Sequence, residues 1–430
     1  MNRIIVIGNG FDMAHDLKTG YRDFINSYWD YVGTTIYTPY RQWLHEHWGG
    51  IPNLSDYEDE FVFFESESDK TKVDKDFFSY QKDSSFGKLY ELIDEHNNCS
   101  PVTGCLRFKN AFLKRITTQC SLTNWVDIEN EYYDVLKKLL LEEDVSKRSH
   151  EIGTLNNEFD AVKRLLEKYL NEVVEKSEIV KHQSIQDAFS SYIEYDEIAT
   201  CKQKMFIDSI FSSMIISGDD ISFQHEIDND DEYKLSLSED EVRSTYVTKN
   251  AIKEWFKRDN LVPSTLLLNF NYTKTAESLY TDYVFYEVIN IHGELNNEKN
   301  PIIFGYGDEL DDDYRKIEKL QDNDFLENIK SIEYHKTKNY RDLLRFIQLG
   351  PYQVFTMGHS CGNSDRTLLN TLFEHDNCVS IKVFYQQFED GSDDYINLIK
   401  NISRNFNNKP LMRDIIVNRE GCSPLVSVAK

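Results

Sequence analysis

Ile4-Ile5-Val6-Ile7 is an unbroken β-branched run that stops at Gly8-Asn9-Gly10-Phe11-Asp12. Side chains alternate across a strand, so a segment apolar at every position must be buried on both faces, as in a parallel sheet covered by helices. Four further apolar segments stop in the same way. They end at Asn269-Phe270-Asn271-Tyr272-Thr273, His292-Gly293-Glu294, Gly305-Tyr306-Gly307-Asp308 and Gly358-His359-Ser360-Cys361-Gly362. An open α/β sheet binds its ligand just outside the carboxyl ends of its strands. Five such endings in one chain read as the wall of a single site.

The same grammar sets the organisation. Residues 265–270, 284–291, 302–304, 353–357 and 380–385 are candidate strands, several separated by the helical patterns that parallel crossovers require. Residues 395–406 form a closing helix. Between the first and second endings the character changes to leucine-rich, charged segments with helical periodicity at 112–118, 132–142 and 156–180. In the last of these Phe159, Val162, Leu165, Leu166, Tyr169 and Leu170 share one helical face. Acidic, turn-rich stretches at 65–76 and 217–242 read as exposed loops. The expected architecture is α/β, a doubly wound and mostly parallel sheet built from residues 1–25 and 262–430. A large, mainly helical insertion at 26–261 interrupts it.

Charge and cysteine usage narrow the partners. The 430 residues carry a formal charge of −26, which repels phosphate backbones and weighs against duplex nucleic acid. Lys109, Lys114 and Arg115 form a basic cluster that reads first as a solvated helix face. The seven cysteines contain no CxxC pair, so free thiols in a reducing compartment are expected, and Cys99 and Cys105 are too isolated for a zinc site. The short Ile4–Ile7 run is no secretory leader, and no run of about 18 apolar residues predicts a membrane span. The expectation is a cytoplasmic protein.

Each ending carries candidate chemistry. Gly8 and Gly10 follow a strand and precede a helix, where glycine permits a tight turn and free N–H groups can face a phosphate. The spacing departs from GxGxxG, and the alternative is a structural turn. Asp12 reads as a helix cap or as a ribose or base contact. Asn269 and Asn271 alternate with Phe270, so both amides point one way; they either orient a ribose and a water or fix the following turn. His292, at a strand end, can act as a general base near neutral pH. Gly358 and Ser360 offer a second phosphate approach, and Asp365 can cap the helix at 367–374. Asp127 and Glu131 share a helix face beside Glu129 and read either as an acidic helix start or as metal ligands.

The stretches Ile4 to His15 and Leu17 to Phe24 resemble the N-terminal signature of the bacteriophage abortive infection AbiH family. The resemblance continues through Trp125-Val126-Asp127-Ile128-Glu129, Leu268 to Thr273, Ile291-His292-Gly293, Phe304 to Gly307 and Met357 to Ser360. It implies bacterial antiphage defence, with a phage protein as the trigger and self-association as a further expectation. The order of motifs is also similar to the sirtuin-like NAD-binding fold of bacterial defence effectors. That similarity implies NAD or a related nucleotide as ligand or substrate. Gly8, Asn9, Gly10, Phe11, Asp12, Asn269, Gly358, Ser360 and Asp365 would contact it, and Asn271 and His292 would be catalytic. Two departures bear on the chemistry: Thr273 stands where an aspartate is often found, and the four zinc cysteines of protein deacylases are missing, so no zinc is expected. The reaction implied is N-glycosidic cleavage; a metal-dependent nuclease or nucleotide hydrolase, and a nucleotide-gated phage sensor without enzymatic activity, are the alternatives.

Overall fold

The computed structural model describes residues 2–47, 52–67, 84–99, 103–123, 127–207, 209, 226–229, 232–236, 244–248, 263–283 and 285–427. Its centre is a six-stranded sheet. The strands are β1 (Asn2–Ile7), β2 (Ser264–Asn269), β3 (Glu287–Asn290), β4 (Tyr352–Met357), β5 (Cys378–Tyr385) and β6 (Ser423–Pro424). Every pairing is parallel, and the order is β6-β5-β4-β1-β2-β3. The chain lays β2 and β3 on one side of β1, then crosses back to lay β4 on the other. The crevice above β1 and β4 is therefore the switch point at which open α/β sheets bind ligands.

The alternation along β1 shows why the first run is apolar throughout. Ile4 and Val6 join one core with Leu266, Leu268, Val354 and Ile381, covered by helices carrying Phe346, Leu369 and Ile402. Ile5 and Ile7 face the opposite core with Leu267, Phe355, Phe11, Phe189 and Tyr280. Each fully buried side chain of this kind contributes about 1.5–3 kcal/mol. Arg3 is also fully buried within β1. Its guanidinium donates to the carbonyls of Ser191 and Tyr192 and to Gln353 Oε1. This pins the helix Gln183–Phe189, which lies within the segment expected as an insertion, onto the sheet.

The helical part builds on Tyr21–Tyr31, Ala111–Thr123, Ile128–Leu139 and the 32-residue helix Val145–Lys176. Asp144 caps the long helix by accepting from the amides of Ser146 and Lys147. Of the face read from the sequence, Phe159, Val162, Leu166 and Leu170 are buried, with Ile152 and Leu155 extending the stripe, while Leu165 and Tyr169 are half-buried. A two-stranded antiparallel pair, Val62–Glu67 with Thr103–Phe108, joins this part.

Three expectations change. Residues 302–304 form no strand. Ile303 and Phe304 are buried in different cores, and Phe304 stacks on Phe159 with centroids 4.9 Å apart; their hydrophobicity serves packing rather than a ladder. Within the acidic stretch 217–242, residues 226–229 and 232–236 are antiparallel strands, joined by 244–248; the rest of it, and 68–76, lie outside the described residues. Residues 65–67 end a strand. Among the described residues no helix is long and apolar enough to cross a membrane, and Cys120, Cys201, Cys361, Cys378 and Cys422 are free thiols.

Candidate functional site

A cavity of about 920 Å³ opens over the switch point. Gly8, Asn9, Gly10 and Asp12 from the β1 ending line it, with Asn271, His292, Gly358, Ser360 and Asp365. Hydrogen bonds running beyond the strands bring these endings together. Phe270 N donates to Ile7 O at 3.0 Å, Ile291 N to Asn269 O at 2.9 Å, and Gly10 N to Gly358 O at 2.8 Å. The helical part closes the cavity with Asp127, Glu129, Leu166 and Leu170.

Four of the five endings line the cleft. The fourth in the chain, Gly305 to Asp308, supports it from behind: Gly305 N donates to Glu129 Oε1 at 3.3 Å, and Tyr306 stacks on Tyr133 with centroids 3.8 Å apart. Two candidate contacts are drawn away from the cleft. Phe11 stacks into the sheet core against His15 and Phe189. Asn269 donates to Thr273 O and Asn290 Oδ1 and accepts from Asn271 N, so its amide fixes the turn. Asn271 donates to Gly8 O at 3.0 Å and remains on the cavity wall.

The glycines of the two turns have a structural reason. Gly358 has φ +69°, and a Cβ there would lie 2.0 Å from Phe11 N. A Cβ on Gly10 would meet Gly358 O at 2.9 Å. The amide of Gly10 bonds to Gly358 O and that of Phe11 to Gly8 O. The turns pack on each other, and these two N–H groups are not open to a phosphate as the glycine spacing had led one to expect.

At the centre lies a buried charge group. Asp365 was expected to cap the following helix; it makes no side-chain cap bond. Its carboxylate instead accepts from Lys330 Nζ at 2.8 Å and meets His292 Nε2 at 3.2 Å and His359 Nε2 at 3.5 Å. Lys330 also donates to Glu129 Oε2 at 2.7 Å. Cys361 N donates to His359 Nδ1, which leaves that ring's proton on Nε2, toward Asp365. Phe270 sits against both imidazoles, with centroids 4.9 and 4.3 Å away.

Electrostatics follow from burial. Burial raises the Asp365 carboxyl, but Lys330 and His292 outweigh it and hold it well below the usual carboxylate range. Burial also lowers Lys330, and Asp365 with Glu129 reverse that. Burial, aided by the charge of Lys330, pushes His292 down to about 4, so its ring is neutral at pH 7. Its Nε2 faces Asp365 and Tyr334 Oη, and its Nδ1 hydrogen-bonds to no described residue. The ring is held in one orientation, with Nε2 toward Asp365 and Nδ1 left as the acceptor nitrogen. Glu129 is lifted to about 7 by burial, opposed by Lys330. Asp12 is lifted to about 6 by burial, opposed by the Thr273 hydroxyl that donates to its Oδ2. An aspartate at 273 would put a second carboxylate against Asp12, which explains why threonine suits that position.

The acidic helix start resolves into three separate roles. Asp127 accepts from Asn130 N as the N-cap, Glu129 holds Lys330, and Glu131 pairs with Arg115 at 2.5 Å. The three carboxylates do not converge on one point. Lys330, the residue that organises the site, carried no sequence signal: a lysine between Ile329 and Ile332 looks like any exposed one. Trp125 and Val126 lie outside the described residues.

The fold and cleft define an α/β protein of open parallel-sheet type with a cavity at its switch point. The chain belongs to the bacteriophage abortive infection AbiH family, whose model matches residues 4–387. It is thus a phage-defence protein, and the match spans every ending that lines the cleft. Among curated proteins and among solved structures nothing matches it.

Proposed function

We propose that the cleft binds NAD or a related nucleotide and hydrolyses its N-glycosidic bond, the reaction by which the protein would act in an infected cell. The observation that carries this reading is the convergence of Asn271, His292 and Ser360 over the switch point of a parallel sheet. The strand order, counted outward from β1, is 3-2-1-4-5-6, that of dinucleotide-binding doubly wound sheets; the sirtuin-like similarity of the motifs points the same way.

The charge of the cleft favours this reaction class over phosphoryl transfer. Asp12, Asp23, Asp127, Glu129, Asp365 and Asp394 line it against Arg22 and Lys330, and Lys330 is bound to two of those acids. Such a field opposes a developing phosphate charge and stabilises an oxocarbenium-like cation. The bond from the ring nitrogen to C1′ breaks, its electron pair leaves with nicotinamide, and a water oxygen bonds to C1′. Asn271 positions the water or ribose, and His292 Nδ1 accepts a proton from the water or a ribose hydroxyl.

The test compares wild type with His292→Ala and Asn271→Ala for nicotinamide release from NAD, with and without lysate of phage-infected cells. Release that both substitutions abolish supports the reading. Absence of release under both conditions refutes the hydrolysis, and absence of any heat of NAD binding in calorimetry refutes the nucleotide site as well.

A further inference from the structure

One buried group of the cleft takes no part in the proposed proton transfer. Asp12 is 1 % exposed and lines the cleft. Its Oδ2 accepts from Thr273, Thr275 and Asn271 also lie close enough to favour its charged form, and its Oδ1, just beneath the cavity wall, completes no hydrogen bond among the described residues. A buried carboxylate oxygen left bare is costly unless something completes it. The wall adds further acidic groups, Asp23, Asp127 and Asp394, on the same cavity, while Glu129 is bound by Lys330. The remaining cation on the wall is Arg22, which is exposed. Phe270, Tyr272 and Leu166 provide apolar surface between. A group with a flat ring and a positive charge matches these walls; a phosphate does not.

We propose that the cleft selects the cationic N-ribosyl-pyridinium half of its substrate, held against the Asp12 carboxylate, and leaves the phosphates outside at the Arg22 rim. This rests on the reading of the cleft as an N-glycosidase site and states which half of the dinucleotide it recognises. It also accounts for an acidic wall in a protein whose substrate carries a diphosphate: the wall meets the positively charged end. A desolvated carboxylate beside a pyridinium stabilises the bound cation and the ribosyl cation that follows bond cleavage.

Calorimetry on the full chain separates the contributions with three probes: nicotinamide riboside, its uncharged 1,4-dihydro form of nearly the same shape, and nicotinamide mononucleotide. The expected result is that the cationic riboside binds at least tenfold more tightly than the dihydro form, and that the 5′-phosphate adds less than threefold. Asp12→Asn, checked by its melting temperature, removes the preference for the cation. Equal affinity for the charged and uncharged ribosides overturns the proposal, as does no binding of the riboside, a tenfold gain from the phosphate, or a preference that survives in Asp12→Asn. Should that variant fail to fold, the wild-type comparison decides alone. Cation preference without nicotinamide release from NAD refutes the hydrolase reading and leaves this selectivity standing. Release without cation preference does the reverse.

Discussion

Replacing Lys330 by methionine removes the ammonium that bridges Glu129 and Asp365 at 2.7 and 2.8 Å. All three groups are buried, and taking one partner from a buried ion pair costs about 3–5 kcal/mol. The two stranded carboxylates have different fates. Glu129 already sits at about 7 with the lysine beside it, so it takes up a proton and stays buried. Asp365 keeps its two imidazole neighbours but loses its main counter-charge. The loss therefore stays within about 3–5 kcal/mol rather than doubling. Glu129→Gln should behave in the opposite way. Glu129 and Asp365 set two carboxylates on the single ammonium of Lys330, an excess of negative charge that this substitution removes, so its cost at pH 7.5 is under about 1 kcal/mol. A pH signature accompanies it. Folded Glu129 keeps its proton up to about 7, against an ordinary value of 4.5. Between those values the folded state binds more protons, so stability falls as pH rises, by about 3 kcal/mol at most. That slope should flatten in Glu129→Gln. Urea unfolding followed by circular dichroism at pH 5.5 and 7.5 reads all three proteins. A Lys330→Met cost below about 1 kcal/mol, or one matched by Glu129→Gln, would refute the reasoning.

Other consequences are as direct. His292→Ala should lower nicotinamide release by about 10²–10⁴-fold, the usual contribution of a positioned base, measured at a temperature where circular dichroism shows the variant folded. Because His292 is neutral above about 4 and Asp12 ionises near 6, the acid limb of kcat/KM should fall near pH 6 and rise with pH; a limb set by an ordinary histidine would persist unchanged in Asp12→Asn. Gly358→Ala places a methyl 2.0 Å from Phe11 N at φ +69°, so it should destabilise by more than the about 1–2 kcal/mol of a left-handed residue alone; a melting point within a degree of wild type would contradict the packing of the two turns. Asn269→Ala removes an amide with three buried hydrogen bonds and should cost about 2–4 kcal/mol, measured by denaturant unfolding, because it is the turn's anchor.

The parts of the fold that were legible are those where one physical rule acts locally. Burial on both faces forces apolar residues at every position of β1, and the 3.6-residue period marks the face of Val145–Lys176 that packs inward. Parallel order could not be read because pairing joins residues hundreds of positions apart. The helix Gln183–Phe189 was assigned to the insertion because its place on the sheet depends on Arg3, a charged residue inside a strand that no pattern reveals. The site divided in the same way. Glycines at strand ends signalled tight turns, yet whether a turn faces a phosphate or another turn depends on Gly358 meeting Phe11. Lys330 and Glu129 acquire meaning only when two distant segments bury them together. That His292 and Asn271 would line one cleft was legible because strand ends point to one place.

The proposed reaction is cleavage of the N-glycosidic bond of an NAD-like nucleotide in this cleft. The measurement that meets it most directly is proton NMR of the products formed from NAD, in resting protein and after addition of phage-infected cell lysate. Nicotinamide and ADP-ribose are expected in equal amounts in at least one condition, and neither from His292→Ala. Nicotinamide mononucleotide with AMP would place the cut at the phosphoanhydride and contradict it. So would intact NAD in both conditions.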